Sequence, residues 1–238
     1  MRRMMTIGTL VLAVAAVAAQ TPQIQNAQMH TQAVTSLARD VAALASQATT
    51  PQWVAWQVPM TDGERNLCCY YSDDGMSNGV RGCRIEPHTT DARSTPPQFP
   101  APTGPVRLEA GTQVTMFVRV VDKRIERLRA LTDDCPVDAG GLPLHWLTGV
   151  SGADSVAWLK TRALDETMEV DVKSRIASSA VRAIALHRDP SAVATLIEFA
   201  RSVPLTPTAV TVRRDAMTGL GQSRDPRALQ FLQAIITK

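Results

Sequence analysis

Five residues of the types that serve in nucleophilic catalysis lie close together near the middle of the chain. Residues 133–145 contain Asp133, Asp134, Cys135, Asp138 and His145. A cysteine thiolate beside an imidazole is a nucleophile for acyl transfer, and a third group can orient the imidazole. This chemistry requires a free thiol at Cys135, so the pairing of the cysteines decides whether it is available.

The chain contains four cysteines: Cys68, Cys69, Cys83 and Cys135. An even number favours disulfides in an oxidising compartment. A bond between the neighbours Cys68 and Cys69 would strain the backbone, which leaves two pairings. The first joins Cys68 to Cys83 and therefore Cys69 to Cys135; in the second, the two neighbours exchange partners. Adjacent residues of a strand point to opposite faces, so each neighbour can reach a different partner. Both pairings stay open at this level.

The spacing of the cysteines favours disulfides over a metal site or a redox enzyme. The chain has no Cys-x-x-Cys motif, which structural zinc sites and thiol oxidoreductases use. Cys135 is then bonded, and His145 lies beside Trp146 in an apolar run, where a packed imidazole is expected. We therefore predict no metal and no catalysis. An enzyme that uses the Cys135–His145 region is the alternative.

Other motifs for cofactors and metals are missing from the sequence. There is no Gly-x-Ser-x-Gly, no His-Glu-x-x-His and no phosphate-binding loop, so no cofactor is expected. Asp73, Asp74 and Asn78 offer oxygen ligands for calcium. Their loop lacks the ligand spacing and the terminal glutamate of a calcium loop, which predicts a solvated turn instead.

The first 19 residues have the three-part pattern of a secretory signal. Arg2 and Arg3 precede an uncharged apolar run at residues 4–19, which ends in the small residues VAA. We predict cleavage before Gln20 and export to the periplasm or the medium. An uncleaved anchor is the alternative, but the run of 16 residues is shorter than the about 20 that span a bilayer. No membrane association is expected once the signal is removed.

The mature chain would be almost neutral. Residues 1–19 hold two arginines and no acid, so 23 basic and 22 acidic residues remain, a net charge of +1. Nucleic-acid binding requires a strongly basic surface, and this composition argues against it. The length suits one large or two small domains.

The hydrophobic periodicity predicts an α+β chain. Apolar residues three and four apart predict one long N-terminal helix over residues 24–48, in a segment 20–50. Alternation then predicts short strands at residues 53–58, 66–71, 80–86, 106–109, 113–121 and 124–131. The spacing of Ile125, Leu128 and Leu131 also fits a helix, so that alternative stays open for residues 124–131. Residues 87–105 contain six prolines and read as an extended loop. Together, residues 52–146 are predicted to form a small antiparallel β domain with disulfides. Its closing segment, 132–147, is rich in glycine and proline, which argues against regular structure over most of it.

An Asp-Pro pair occurs twice between helical patterns, at Asp189-Pro190 and again 36 residues later at Asp225-Pro226. Aspartate at an N-cap accepts a backbone N–H bond, and proline at the first helical position loses no bond. Asp189 and Asp225 are therefore predicted to be helix N-caps. Asp154 is predicted to cap an earlier helix over residues 152–164.

The helix–Asp-Pro–helix unit, and VRRDAMTGLGQSRDPRALQFL in particular, resembles short bacterial HEAT-type repeats, including those named for phycobiliprotein lyases. The resemblance covers residues 170–238. It implies an α-solenoid-like stack of helical hairpins over residues 152–238 and a surface that binds other proteins, without implying lyase activity. The segments CCYY, GCRIE and DDCPVDAGG are similar to exported bacterial proteins that couple such a β domain to HEAT-like repeats.

Four arginines lie on or near the first helices of these repeats: Arg175, Arg182, Arg213 and Arg214. They are the candidate surface for an acidic protein partner. Asp171, Asp215 and Glu198 are interleaved with them, which favours ordinary solvated helix faces. The leading hypothesis is an exported, non-enzymatic scaffold or adaptor of the cell envelope. A structural subunit that forms a homodimer through an open repeat edge is a further alternative.

Overall fold

The computed structural model describes residues 23–62, 67–71, 80–86, 99, 111–202 and 206–237. The predicted signal, the turn with Asp73, Asp74 and Asn78, and the predicted strand 106–109 lie outside the described residues. The proline-rich loop 87–105 also lies outside them, apart from residue 99.

The described strands are β1 (Ile24–Gln25), β2 (Gln28–Ala33), β3 (Gln52–Pro59), β4 (Tyr70–Tyr71), β5 (Val80–Arg81), β6 (Cys83–Arg84), β7 (Gln113–Val121), β8 (Arg124–Thr132), β9 (Val137–Asp138) and β10 (Pro143–Thr148). The described helices are α1 (Leu37–Gln47), α2 (Gly152–Ala163), α3 (Val170–Ile184), α4 (Pro190–Arg201), α5 (Pro207–Gly221) and α6 (Pro226–Ile236). The chain is therefore mixed helix and sheet.

The main sheet has five strands in the order β2–β10–β3–β7–β8. β7 and β8 form the predicted hairpin, and its turn residues Asp122 and Lys123 have positive φ angles of 47° and 65°. That backbone suits a two-residue hairpin turn, whose twist matches the strands it joins. β3 pairs with β7 in antiparallel register, whereas β10 runs parallel to both β2 and β3. The prediction of a purely antiparallel sheet is therefore wrong: the sheet is mixed.

The glycine- and proline-rich segment contains strand β10, which the sequence did not predict. Gly140 and Gly141 adopt positive φ angles of 71° and 79° and turn the chain before the strand. Pro143 is the first residue of β10, a position where a missing N–H is tolerated. The two glycines and the proline thus mark the start of the strand.

The N-terminal helix is shorter than predicted. Residues 24–25 and 28–33 are strands, and only Leu37–Gln47 is helical. β2 is exposed along its whole length, so no buried apolar face marks it in the sequence. Its structure comes from parallel pairing with β10, a partner more than 100 positions away.

The main sheet is buried on both faces. Alternate residues of its central strands point to opposite sides. Val54 and Trp56 pack in a core shared with helices α1 to α6, whereas Trp53 and Ala55 face a second cluster around the small sheet β1–β9–β6. Burial of both faces explains why β3 is almost continuously apolar.

Two disulfides lie in the second cluster of buried residues, the one around the sheet β1–β9–β6. Cys68 bonds Cys135 and Cys69 bonds Cys83, with Cα–Cα distances of 5.3 and 4.9 Å. The structure therefore has the second of the two pairings that the sequence left open. None of the four cysteines, all of which lie in the described part of the chain, is a free thiol.

Four of the five described helices of the C-terminal half, all except α3, begin at side-chain caps. Asp189 accepts a hydrogen bond from the Ser191 backbone N–H at 2.9 Å, and Asp225 accepts one from that of Arg227 at 2.8 Å. A proline follows each aspartate at the first helical position. Helix α2 differs from the prediction: its N-cap is Ser151, which accepts from the Asp154 N–H at 3.0 Å.

These helices pack on one another and on the sheet. α3 packs against β8 and α2, and α5 packs against both α3 and α4. α3 and α5 come close at Gly219, where an added Cβ would lie 2.9 Å from the Cβ of Ala185. The solenoid arrangement that the resemblance implies stays a prediction.

A buried hydrogen-bond chain joins the sheet to the helices. The Trp56 indole Nε1–H donates to Ser155 Oγ at 2.8 Å, and the Ser155 hydroxyl lies 2.8 Å from His187 Nε2. His187 Nδ1 donates to the Ala183 carbonyl, also at 2.8 Å. A carbonyl can only accept, so Nδ1 carries the proton and Nε2 accepts from Ser155.

Stability should depend on the protonation of His187. Burial lowers its pKa to about 4, whereas the unfolded imidazole titrates near its model value of 6.5. As pH falls from about 6.5 to about 4, the unfolded state binds the proton and the native state does not. The free energy of unfolding should therefore drop by about 3 kcal/mol over this window.

Urea unfolding of the wild type and His187→Gln across this range measures the drop. The stability difference between the two proteins should shrink as pH falls, because only the wild type carries this linkage. A His187→Gln curve parallel to that of the wild type would contradict the assignment.

Candidate functional site

The residues suggested for nucleophilic catalysis do not assemble a nucleophile. Cys135 is bonded to Cys68, so it has no thiolate. His145 stacks on His30 of the neighbouring strand, with ring centroids 5.3 Å apart. Burial, and then the charge of His30, lowers the pKa of His145. By strand alternation His145 shares the helix-facing side of β10 with Leu147, whereas Cys135 packs in the cluster on the other face.

Asp138, a further member of that group, has a structural role. Its Oδ1 accepts from the Asn26 amide at 3.1 Å and from the Gly140 N–H at 2.8 Å. These bonds fix the turn that leads into β10.

Three cysteine sulfurs lie close enough together to resemble a metal site. Those of Cys68, Cys83 and Cys135 are within 4.8 Å of one another. All three belong to disulfides, and a metal ligand must be a thiolate. Their proximity reflects the packing of two neighbouring disulfides.

A cleft rich in arginine lies between strand β8 and helices α3 and α5. Its volume is about 550 Å³. Four arginines, four hydroxyl side chains and one acid contribute to its lining, and we call it the arginine cleft. The lining residues are Glu126, Arg127, Leu128, Arg129, Ser174, Arg175, Ile176, Ser178, Ser179, Thr211 and Arg214.

Three elements position these side chains. β8 is the edge strand of the main sheet, so nothing on its outer side covers Arg127 and Arg129 within the sheet. On α3, Arg175 and Ser178 are three residues apart, and on α5 the same spacing separates Thr211 from Arg214. Residues three apart share a helix face. The packing of α3 on β8 and α5 brings the three sets together.

One of the acids interleaved with the arginines is buried beside this cleft and pairs with Arg214 of its lining. Asp215 is only 5% exposed and accepts a hydrogen bond from Ser178, which ties α5 to α3. Arg182 and Arg214 flank it, with Nε–carboxylate distances of 3.6 and 3.5 Å. The acid thus lies beneath the arginines.

Two other acids, Glu198 and Glu126, pair with basic residues that do not line the cleft. Glu198 on α4 pairs with Lys160 of α2 at 2.7 Å and does not line the cleft. Glu126, the one acid in the lining, pairs with Arg119 at 2.5 Å. All four of the suggested arginines are exposed, and the interpretation of them as ordinary solvated helix faces stays a prediction.

The cleft contains two of the four arginines that the sequence suggested. Arg175 and Arg214 line it, whereas Arg182, which pairs with Asp215, and Arg213 lie outside the lining. Arg127 and Arg129 were missed because β8 was considered only as a strand. The sequence pattern that could have indicated them is ERLRA, where two arginines alternate with Leu128 and so share one face of the strand.

Such a cleft can bind carboxylates or similar anions. Guanidinium groups form bidentate hydrogen bonds with carboxylates, and serine or threonine hydroxyls add further donors. Arg127 and Arg175 pair with no carboxylate in the described part of the chain; Arg175 Nε donates to the Asp171 backbone carbonyl. Both therefore retain charge for a ligand.

Comparison with known proteins identifies the last helices. Residues 212–237 match the family model of the PBS lyase HEAT-like repeat, which covers most of α5 and all of α6. No curated protein and no solved structure gives a significant match to the chain. Among the described helices, none combines the length and apolar character needed to cross a bilayer.

Removing the buried carboxylate beneath the cleft should destabilise the protein. Asp215→Ala leaves the Ser178 hydroxyl without its acceptor, and we expect a loss of about 1–3 kcal/mol in the free energy of unfolding. Asp171→Ala, at an exposed first-turn position of α3, should cost less than about 1 kcal/mol. Chemical unfolding of the two variants measures the difference, and equal stabilities would contradict the role given to Asp215.

Proposed function

We propose that this chain is a protein-binding scaffold that holds an acidic segment of a partner protein in the arginine cleft. The observation that carries the proposal is the local charge of the cleft. Of the four arginines in its lining, Arg214 pairs with the buried Asp215 and Arg129 Nη1 donates to Cys69 Sγ. Arg127 and Arg175 pair with no carboxylate in the described part of the chain, and the one acid of the lining is already paired with Arg119. An almost neutral sequence has thus concentrated positive charge at one recess of the surface.

A protein partner fits this site better than a nucleic acid. The formal net charge of the whole chain is only +3, whereas nucleic-acid binding relies on extended basic surfaces that neutralise many phosphates. The HEAT-like match at residues 212–237 supports the same conclusion, because such helical repeats commonly present extended surfaces for other proteins. Helix α5, most of which belongs to the matched repeat, supplies Thr211 and Arg214 to the lining of the cleft.

The scaffold is proposed to act outside the cytoplasm, in the cell envelope or the medium. Two disulfides support this location, since such bonds persist in oxidising compartments. The signal-like pattern of residues 1–19 supports it independently. We further propose that the protein is not an enzyme, because the thiol that the catalytic alternative requires is in a disulfide.

Charge reversal in the cleft tests the proposal. The double variant Arg127→Glu/Arg175→Glu keeps the fold, because neither side chain pairs with a carboxylate in the described part of the chain. Its affinity for a fluorescent oligoglutamate peptide should fall by at least about tenfold, and that of the wild type should fall steeply with added salt. Oligolysine should not bind either protein.

The matched control carries the same charge change elsewhere. Arg39→Glu/Arg224→Glu alters two exposed arginines outside the cleft and should bind the peptide nearly as well as the wild type. Affinity capture from an envelope extract, with the three proteins side by side, then identifies the partner. Equal peptide binding by both double variants would reject the cleft as the binding site.

A further inference from the structure

A second and larger recess adjoins the arginine cleft along β8, with Glu126 in both linings. Helix α1, the start of β8 and the segment from α2 to α3 enclose a groove of about 800 Å³, which we call the α1 groove. Its lining includes Ala42 of α1, Lys123 of the β7–β8 turn, and Trp158, Met168 and Val172.

The floor of the α1 groove is apolar and held in place from below. Trp158 is 5% exposed and packs edge-on against Trp56 of the sheet, with ring centroids 5.1 Å apart. Val41 is buried in the same core, and Met168 and Val172 are partly buried against it. Because these side chains belong to the shared core, the floor is preformed.

Small side chains on α1 keep the groove open. Ala38, Ala42 and Ala45 lie at spacings of four and three, which places them on one face of the helix. All three line the groove. A larger side chain at any of them would project into the space.

The acids at the rim of the groove are already paired. Asp165 lies 2.9 Å from Arg162, and that guanidinium also covers the Trp158 ring at 5.7 Å. Glu169 lies 3.4 Å from Arg124. The third acid, Glu126, pairs with Arg119 outside the groove.

Lys123 is the exception among the charged residues of the rim. It pairs with no carboxylate in the described part of the chain. Its backbone is fixed in the hairpin turn, where its N–H donates to the Ala48 carbonyl at 3.0 Å. The groove therefore combines an apolar floor with one unpaired cation on a rigid turn.

We propose that the α1 groove binds a single-chain carboxylate amphiphile, such as a fatty acid. Its alkyl chain lies against Ala42, Met168 and Val172, and its carboxylate pairs with Lys123. The volume lies within the range of about 300–1,000 Å³ that is typical of small-molecule sites, which are mostly apolar with a few polar groups for orientation. Charge complementarity selects an anionic head group, since the acids at the rim are neutralised and Lys123 is not.

Calorimetry with dodecanoate below its micellar concentration tests this site. The wild type should bind dodecanoate at least about tenfold more tightly than dodecyltrimethylammonium, which has the same chain and the opposite charge. Lys123→Gln should remove most of that preference. Lys160→Gln removes a lysine outside the groove and should leave it unchanged.

A second variant tests the position of the alkyl chain. Ala42 is exposed on α1, so Ala42→Trp should fold normally while its ring fills the groove. This variant should lose binding of both amphiphiles, with an unchanged far-ultraviolet circular dichroism spectrum. Equal wild-type affinity for the two head groups, absence of dodecanoate binding, or full binding by Ala42→Trp would each overturn the proposal.

The site is independent of the proposed scaffold function. Arg127→Glu/Arg175→Glu changes the arginine cleft and should keep dodecanoate binding, because neither residue lines the α1 groove. Lys123→Gln should in turn keep binding of the acidic peptide. Loss of both activities in either variant would show that the two recesses form a single site and would overturn the assignment.

Discussion

The hydrogen-bond chain from Trp56 through Ser155 to His187 is the constraint on which the rest of the structure depends. Trp56 and Ser155 have no exposed surface and His187 has 4%, so none of these polar groups can exchange its partner for water. Losing one partner would leave a buried donor or acceptor unpaired, which is costly. This series of hydrogen bonds fixes the sheet against α2 and the end of α3. Backbone bonds reinforce it, because the Thr61 N–H donates to the Leu186 carbonyl and that of Arg188 to Pro59.

Both recesses lie where the main sheet meets the helices, the junction that these hydrogen bonds hold together. The arginine cleft and the α1 groove adjoin each other along β8 and share Glu126, and each takes one wall from the sheet and another from the helices. Their charge has a common origin. In each, acids that could have cancelled the basic residues are buried, as with Asp215, or paired, as with Glu169. Balanced composition is thus compatible with positively charged recesses, because burial and pairing distribute the two signs differently.

Features encoded by a few neighbouring residues could be predicted from the sequence, and features that depend on distant pairing could not. The caps at Asp189 and Asp225 need only the next two residues, and the β7–β8 hairpin needs only its turn and two alternating strands. β2 was mistaken for helix and β10 for irregular structure because each is a strand only through pairing with segments far along the chain. Two of the four arginines of the candidate site, Arg175 and Arg214, could be suggested from the sequence. Arg127 became relevant only in the folded protein, where β8 lies beside α3.

The sequence by itself determined that Asp189 and Asp225 begin helices α4 and α6 and that the neighbours Cys68 and Cys69 do not bond each other. The tertiary structure decided that Cys69 bonds Cys83, that Asp215 points inward and that two recesses have positive charge to offer. The physical reason is the range of the interactions. A helix cap or a turn is satisfied by atoms within a few residues, whereas a disulfide partner, a buried ion or a cleft is defined by surfaces that meet only when the chain has folded.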